Sequence, residues 1–396
     1  MHILFIGKCC PLETAHKILL SSQKNPGFQI IKFVHLILDG FRACDSQVSV
    51  ISNINAPSIG IHEETENKVL YQYVSTLNIP IVCQFLYYLQ SFYYTFKWGV
   101  RNRKNRIIFC DIFSSSSTVS GGVLAAKILR IPICALVTDM ITTPLTTSLN
   151  LNNVFWKFFF NIRQNKQYRS LNTYHAFVFL TKYMNEIYNP LKRPYIVMEG
   201  SVDSTFVSCQ NIKKQTPRVI MYAGAIEKEY GLNELTQAFM SLSIPDIEFH
   251  IYGNGKFVKD LLEYQKLYPR IKYMGIVNNA DIVKAEQAAT LLINPRLSHE
   301  VYVKYSFPSK TSEYMLSGTP LLTTKLPGIP DEYFQHLYTF DEESITGFAR
   351  KMSEILSLPE TELIQQGKNA QEFVLKNKNN ILQSKRIFVF LKPILK

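Results

Sequence analysis

The sequence has no run of roughly 18 or more uncharged apolar residues, so it offers no helix able to span a bilayer. Its opening, MHILFIGKCC, carries an apolar stretch too short for a signal peptide, with no cleavage site behind it, and reads as a first β-strand. Cysteine is absent after Cys209. The seven present, at 9, 10, 44, 83, 110, 134 and 209, lack metal-ligand spacing, and the adjacent Cys9 and Cys10 do not form a usual bridge. They read as reduced thiols of a cytosolic protein. No Asp-x-Asp cluster occurs, which removes a common way of holding Mg²⁺ on a diphosphate. What is there is globular: 19% charged residues against 46% hydrophobic ones argue against disorder, and 396 residues suffice for two α/β domains with a core each.

Acid is scarce in the first half. Residues 1 to 205 hold 20 Lys and Arg against 11 Asp and Glu, a net of +9, whereas the remainder nets +3. An acidic partner should therefore meet the first half. Residues 84 to 106, QFLYYLQSFYYTFKWGVRNRKNR, contain eight aromatics and five basic residues without one acid, and 154 to 169, VFWKFFFNIRQNKQYR, repeat the character. Rings with polar tips beside Lys and Arg suit an anionic membrane interface, with Trp98, Arg101, Arg103, Lys104, Arg106, Trp156 and Lys157 as the contacts. Buried aromatic helices with solvated basic ends would look the same. Nucleic acid is not expected as a partner, because no RNP, KH or similar module frames these residues.

Along the chain, strands alternate with helix-like stretches, which predicts an α/β protein of two Rossmann-like, doubly wound domains facing a cleft. The expected boundaries are 1–207 for the first domain, 208–217 for a polar linker, 218–372 for the second domain, and 373–396 for a helix returning to the first. Ile3 to Ile6 end at Gly7-Lys8, and IPICALVTDM ends at Thr138 and Asp139; both are strand ends where such sheets place binding loops. Asp139 serves equally as a strand-end or capping residue. His35, on an apolar face, reads as a packing histidine.

Residues 305 to 320, YSFPSKTSEYMLSGTP, form the stretch with the most chemistry. A loop through Ser306, Phe307 and Pro308 feeds a helix over about Ser309 to Ser317, closed by Gly318. Its N-terminus would present free N–H groups and a partial positive charge to a diphosphate, and Lys310 adds a full charge. One turn on, the Glu313 carboxylate leans back toward the same place, where two ribose hydroxyls could each donate to it. An ordinary amphipathic helix with Lys310 and Glu313 on its wet face fits this stretch equally well.

LLINPR (291 to 296), YSFPSK, EYMLSGTPLL and TKLPGIPDEY (324 to 333) follow one another as in the retaining glycosyltransferases of family 4, the bacterial enzymes of surface and capsular polysaccharide assembly above all. The resemblance extends over YAGAIEKEYGLNEL, IYGNGK and IKYMGIV in the second half. In the first half it rests on ALVTDM, FLTKYMNEIYN and IVMEGSVD. It implies a type B architecture that moves a hexosyl group from a nucleotide-diphosphate sugar to a glycan hydroxyl with retention, without metal or other cofactor. Carried over residue by residue, it places the donor on Gly224, Lys228, Gly253, Asn254, Gly275, Ile276, Val277, Arg296, Tyr305 to Lys310 and Glu313. Lys310, Glu313 and Asp139 become the catalytic candidates, and Gly7, Lys8 and Asp139 the acceptor side. Two departures stand out. Where relatives carry an Arg after the first glycine and a Lys before the second, this chain has Ala225 and Tyr230, and Tyr305 stands where the first glutamate of the Glu-x7-Glu pattern is usual. The +9 of residues 1 to 205 and the two acid-free aromatic-basic runs together predict a lipid-linked acceptor and a peripheral place at the inner face of the cytoplasmic membrane. The architecture also serves nucleotide-sugar 2-epimerases and glycan phosphorylases, and the missing cations leave a non-catalytic nucleotide-binding subunit open.

Overall fold

The computed structural model describes residues 1–22, 27–75, 79–140, 168, 170–207 and 213–395. Its contacts separate two compact units, Met1–Ser201 with Asn380–Lys396, and Val202–Asn379. No helix among the described residues is long and apolar enough to cross a membrane.

The first unit is built on eight strands: β1 (His2–Gly7), β2 (Gln47–Ser52), β3 (Glu63–Glu66), β4 (Val69–Tyr73), β5 (Arg106–Asp111), β6 (Ile133–Val137), β7 (Ala176–Phe179) and β8 (Tyr195–Val197). They lie in the order β3-β4-β2-β1-β5-β6-β7-β8, parallel except for the β3–β4 hairpin. Ile3 to Ile6 and Ile107 to Cys110 are all buried, the continuous apolar pattern that a sheet covered on both faces requires. The second unit repeats the plan with β9 (Arg218–Ala225), β10 (Ile247–Asn254), β11 (Ile271–Gly275), β12 (Leu291–Asn294), β13 (Leu321–Thr323) and β14 (Tyr338–Thr339). Its order is β11-β10-β9-β12-β13-β14, parallel at every pairing. Both sheets are doubly wound, in accord with the sequence pattern.

The boundaries differ from those expected. The first unit ends at Ser201, not at residue 207, because the backbone from Val202 pairs with Lys378 and Asn379 at the end of the second unit. Helix Glu360–Asn377 likewise stays with the second unit, so the returning segment begins at Asn380 rather than 373. Of the expected linker, 208 to 212 lie outside the described residues.

Helix Asn380–Leu391 belongs to the first unit's core, where Ile387 and Leu391 are fully buried. It packs on helix Phe28–Ala43 at Gly40, where a Cβ would sit 2.4 Å from the Asn380 carbonyl, and the Ser384 hydroxyl donates to the Ile37 carbonyl at 3.0 Å. His35 on the same helix bonds the Cys10 carbonyl through Nε2 at 2.6 Å, a packing role. Truncating Ile387 to Ala removes core volume and should cost about 2–5 kcal/mol. In urea unfolding of the full chain, the transition of the first unit should move and that of the second should not. An unchanged first transition would contradict this assignment of the C-terminal helix.

Candidate functional site

The second sheet reverses its strand order at β9, with β10 and β11 on one side and β12 to β14 on the other. Loops leaving β9 and β12 therefore part, and the crevice between them is where open α/β sheets take ligands. Two glycines bring the backbones together there. Gly253 has φ 130° and would place a Cβ 1.9 Å from the Gly224 carbonyl; Gly231, at φ 74°, would place one 2.1 Å from that of Pro295. A side chain fits neither the space nor the dihedral.

Alternate residues of β9 turn their N–H and C=O toward β12. Val219 exchanges both with Thr290, through its N–H and hydroxyl. The β9–β12 ladder ends at Met221 and Leu292, leaving Ala223 without a strand partner on that side. Tyr314 takes its place. The Ala223 N–H donates to the Tyr314 hydroxyl at 2.7 Å, and that hydroxyl donates to the Ala223 carbonyl at 3.0 Å. Tyr314 lies in helix Ser309–Ser317, so the bond fixes this helix one residue from Gly224. Behind it, the Gln371 amide donates to the Leu316 carbonyl at 2.6 Å, and Gly367 admits the Gly318 carbonyl.

The helix starts at Pro308, whose N-cap position makes no side-chain cap; the Thr311 N–H turns back to the Pro308 carbonyl at 2.8 Å, and the N–H groups ahead of it are placed to meet an outside acceptor. Ser309 is exposed at the start. The Lys310 ammonium meets the Glu313 carboxylate at 2.7 Å, both about a third exposed. Burial pulls Lys310 down, but the Glu313 and Glu286 carboxylates outweigh it and leave its pKa above the ordinary lysine value. Lys310 therefore stays cationic through the neutral range.

Around this helix the other candidates divide. Gly224, Gly253 and Asn254 stand at the ends of β9 and β10, as expected. Gly275 ends β11 at φ 71°, followed by Ile276, 76% exposed, and exposed Val277. Ser306 is half-buried, its carbonyl 2.2 Å from where a Cβ on Gly328 would sit, so the 324 to 333 loop lies against it. The remaining donor candidates make other contacts. Phe307 packs its ring 5.6 Å from Tyr333 and is buried, and Pro308 is buried too, so only the backbone of these residues remains for a ligand. Tyr305 is 8% exposed under Lys304, whose ammonium lies 4.7 Å from its ring, and it does not open onto the crevice as a glutamate substitute. Lys228 leans onto Phe257 and pairs with Asp260 at 3.4 Å, which draws it toward helix Val258–Leu267. Exposed Glu332 accepts from the buried ammonium of Lys378 at 2.6 Å.

In the first unit the strand order reverses between β1 and β5. Gly7 ends β1 with no room for a side chain: a Cβ there would meet Asp111 at 2.9 Å. Lys8 is exposed, and its N–H donates to the Ser114 hydroxyl at 3.0 Å. Asp139 is exposed just past β6 and accepts from the Met140 N–H at 2.8 Å. Between them lies Asp111, which the sequence did not single out. It is 2% exposed and accepts from the Phe113 N–H at 3.0 Å and the Ser114 hydroxyl at 2.8 Å. Burial raises its carboxyl pKa, with Lys8 opposing and Asp139 adding. Its only sequence signal was a lone acid at the end of an apolar strand.

The first aromatic-basic run is helix Pro80–Arg101 and the turn after it. Val82, Phe85, Leu89, Tyr93, Phe96 and Val100 recur every three or four residues, and all are exposed, Phe85 by 60% and Tyr93 by 58%. Lys97, Arg101, Arg103 and Lys104 are exposed beside this stripe. Two residues depart from the expectation. Trp98 falls off the stripe and is half-buried, and the Arg106 guanidinium donates to the Gly99, Asn102 and Leu129 carbonyls, which ties it into the fold. The second run, with Trp156 and Lys157, lies outside the described residues apart from Tyr168.

Residues 204–373 match the family model of the glycosyl transferases group 1, a span that takes in the whole crevice of the second unit. No curated protein matches the chain in sequence. Among solved structures, the chain is similar to HepE of Anabaena in complex with UDP, at 15% identity over 99% of this chain and 100% of that one, with a TM-score of 0.63. It is similar to sucrose-phosphate synthase of Thermosynechococcus elongatus, at 10% identity over 100% and 99%, TM-score 0.66. A glycosyltransferase of Rickettsia africae gives 13% over 100% and 98%, TM-score 0.65. At such identities the likeness establishes the fold, the two-domain architecture of these proteins.

Tyr314→Phe deletes one oxygen and leaves the N–H and C=O of Ala223 buried without partners, which should cost about 1–3 kcal/mol per group. Urea unfolding of the second unit should show the loss. A variant as stable as the parent would mean that water replaces the hydroxyl and that the tyrosine does not fix the helix.

Proposed function

We propose that the chain transfers a sugar from a nucleotide-diphosphate donor to a hydroxyl of a growing glycan, with retention, in surface polysaccharide assembly. The observation that carries this reading is the Lys310–Glu313 pair at an uncapped helix N-terminus, bolted beside Gly224 at the point of strand reversal. The match of 204–373 to the glycosyl transferases group 1 supports it, as do the UDP complexes of HepE, one of them with glucose.

In this reading the diphosphate lies over the N-terminus of helix Ser309–Ser317, where N–H groups and Lys310 meet the charge that grows on it as the bond to the sugar breaks. Glu313 accepts from the ribose hydroxyls. The acceptor hydroxyl attacks from the face the diphosphate is leaving, and a phosphate oxygen takes its proton, which keeps the configuration without a carboxylate nucleophile. No metal is required, since helix and lysine carry the compensating charge. The acceptor-side candidates are Gly7, Lys8 and Asp139 of the first unit.

Turnover measured by mass spectrometry over a panel of nucleotide sugars tests this reading. Lys310→Ala should lower kcat more than it weakens nucleotide binding, because the leaving charge peaks in the transition state. Glu313→Gln should weaken donor binding by about 1.5–3 kcal/mol, and EDTA should leave activity intact. Wild-type behaviour from both variants, or a loss in EDTA that Mg²⁺ or Mn²⁺ restores, would require a different donor site.

We further infer that the acceptor is lipid-linked and that the first unit rests on an anionic membrane face through the stripe of helix Pro80–Arg101. Six exposed apolar side chains in one row, flanked by Lys97, Arg101, Arg103 and Lys104, match an interface of acyl chains below acidic headgroups. Each basic residue contributes about 1 kcal/mol near such a surface. The protein should sediment with phosphatidylglycerol vesicles at low salt and not with neutral ones. Changing Arg101, Arg103 and Lys104 to Glu should abolish sedimentation, and equal binding by that variant would rule the membrane out.

A further inference from the structure

Charge at the crevice is unevenly neutralised. Lys310 faces Glu313 and Lys228 faces Asp260, while Ala225 and Tyr230 bring no cation. Arg296, just past Pro295 on the loop leaving β12, forms no salt bridge with a carboxylate among the described residues. Aromatic rings hold it instead. Its guanidinium lies 4.6 Å from the Tyr230 ring centre and 5.9 Å from that of Tyr302. The two rings are 6.3 Å apart and inclined at 53°. Tyr230 closes the short turn Lys228–Tyr230 that follows β9, and Tyr302 lies in Val301–Tyr305, which leads from the β12 side to the Lys310 helix. One cation is thus gripped by rings from both sides of the strand reversal.

The cation also acts electrostatically on the end of β9. Burial raises the Tyr222 and Tyr302 hydroxyls, and Arg296 is the main influence opposing it on both. The Tyr222 hydroxyl donates to the Ala225 carbonyl at 2.8 Å, so this charge reaches the first loop of the crevice. Glu229 and Glu300 act on Tyr302 from the same region without bonding to Arg296. The Tyr302 hydroxyl oxygen is buried and has no hydrogen-bond partner. A stacked guanidinium keeps its planar fork of N–H groups turned outward, the geometry that meets two phosphate oxygens at once. Stacking on rings also holds the cation without neutralising it, as a carboxylate would.

We propose that Arg296, clamped by Tyr230 and Tyr302, binds the diphosphate of the donor, and that Tyr230 is a positioning residue for it. This rests on the donor site proposed above. The site then has two cations with different lives: Lys310, paired with Glu313 until the donor arrives, and Arg296, oriented in advance.

Binding of UDP, GDP and ADP, each beside its nucleoside, to wild type, Arg296→Gln and Tyr230→Leu separates the possibilities, with thermal unfolding of each variant as a control on folding. Arg296→Gln should bind the preferred diphosphate at least tenfold more weakly and its nucleoside unchanged. Tyr230→Leu should lose part of that factor, and the double variant should be no worse than Arg296→Gln alone. Adding Tyr230→Lys to Arg296→Gln should restore diphosphate binding, since it returns a cation to the same spot. Wild-type diphosphate affinity in Arg296→Gln overturns the assignment, as does an equal loss of nucleoside. Wild-type behaviour of Tyr230→Leu removes the clamp. Failure of the wild type to bind any of the three diphosphates overturns the donor-site reading itself, and this assignment with it.

Discussion

One side-chain hydroxyl does the work of a missing strand. Where β12 turns away from β9, the N–H and C=O of Ala223 would face the interior unpaired, and the Tyr314 hydroxyl bonds both. Tyr314 is fully buried and bonded to both groups, so it sets the position of helix Ser309–Ser317 relative to Gly224. Lys310 and Glu313, on the same helix, inherit that position. The chemistry proposed for the crevice depends on this attachment, since a helix N-terminus acts on charge only within about its first turn.

Around that fixed helix, glycine sets how closely the loops approach. Gly253 and Gly231 let backbone meet backbone at the ends of β10 and β12, which narrows the crevice without filling it with side chains. The charge within it is arranged differently from what the motif alone suggested. Lys228 has gone to Asp260, Tyr305 is buried, and Arg296 lies against aromatic rings. The pairing of Lys310 with Glu313 means that donor binding has to exchange one partner for another, a lesser penalty than burying an unpaired lysine.

Much of the architecture was legible in the sequence. Alternation of apolar strands with amphipathic stretches gave two doubly wound sheets, and Pro308 and Gly318 marked the ends of the key helix because each residue favours that place in a helix. Domain edges were less legible: the join at Val202 is made by backbone pairing with Lys378 and Asn379, far away in sequence and without a composition shift. In the site, the charged residues could be named from the motif, but not their partners. Tyr314 carried no signal beyond being an aromatic next to Glu313, on the inward side of the helix. Its role appears only once the β9–β12 ladder is seen to stop. Arg106 misled for a related reason: a basic residue in a basic run reads as solvent-facing, while its guanidinium satisfies three carbonyls.

The central claim is that the strand reversal at β9, with the helix Tyr314 secures there, is a nucleotide-sugar site. Hydrogen–deuterium exchange on the full chain, with and without UDP-, GDP- and ADP-sugars, tests it most directly. The account predicts that at least one of them slows exchange in 224–231 and 305–313 together. Protection confined to other segments, or none with any of the donors, would contradict it.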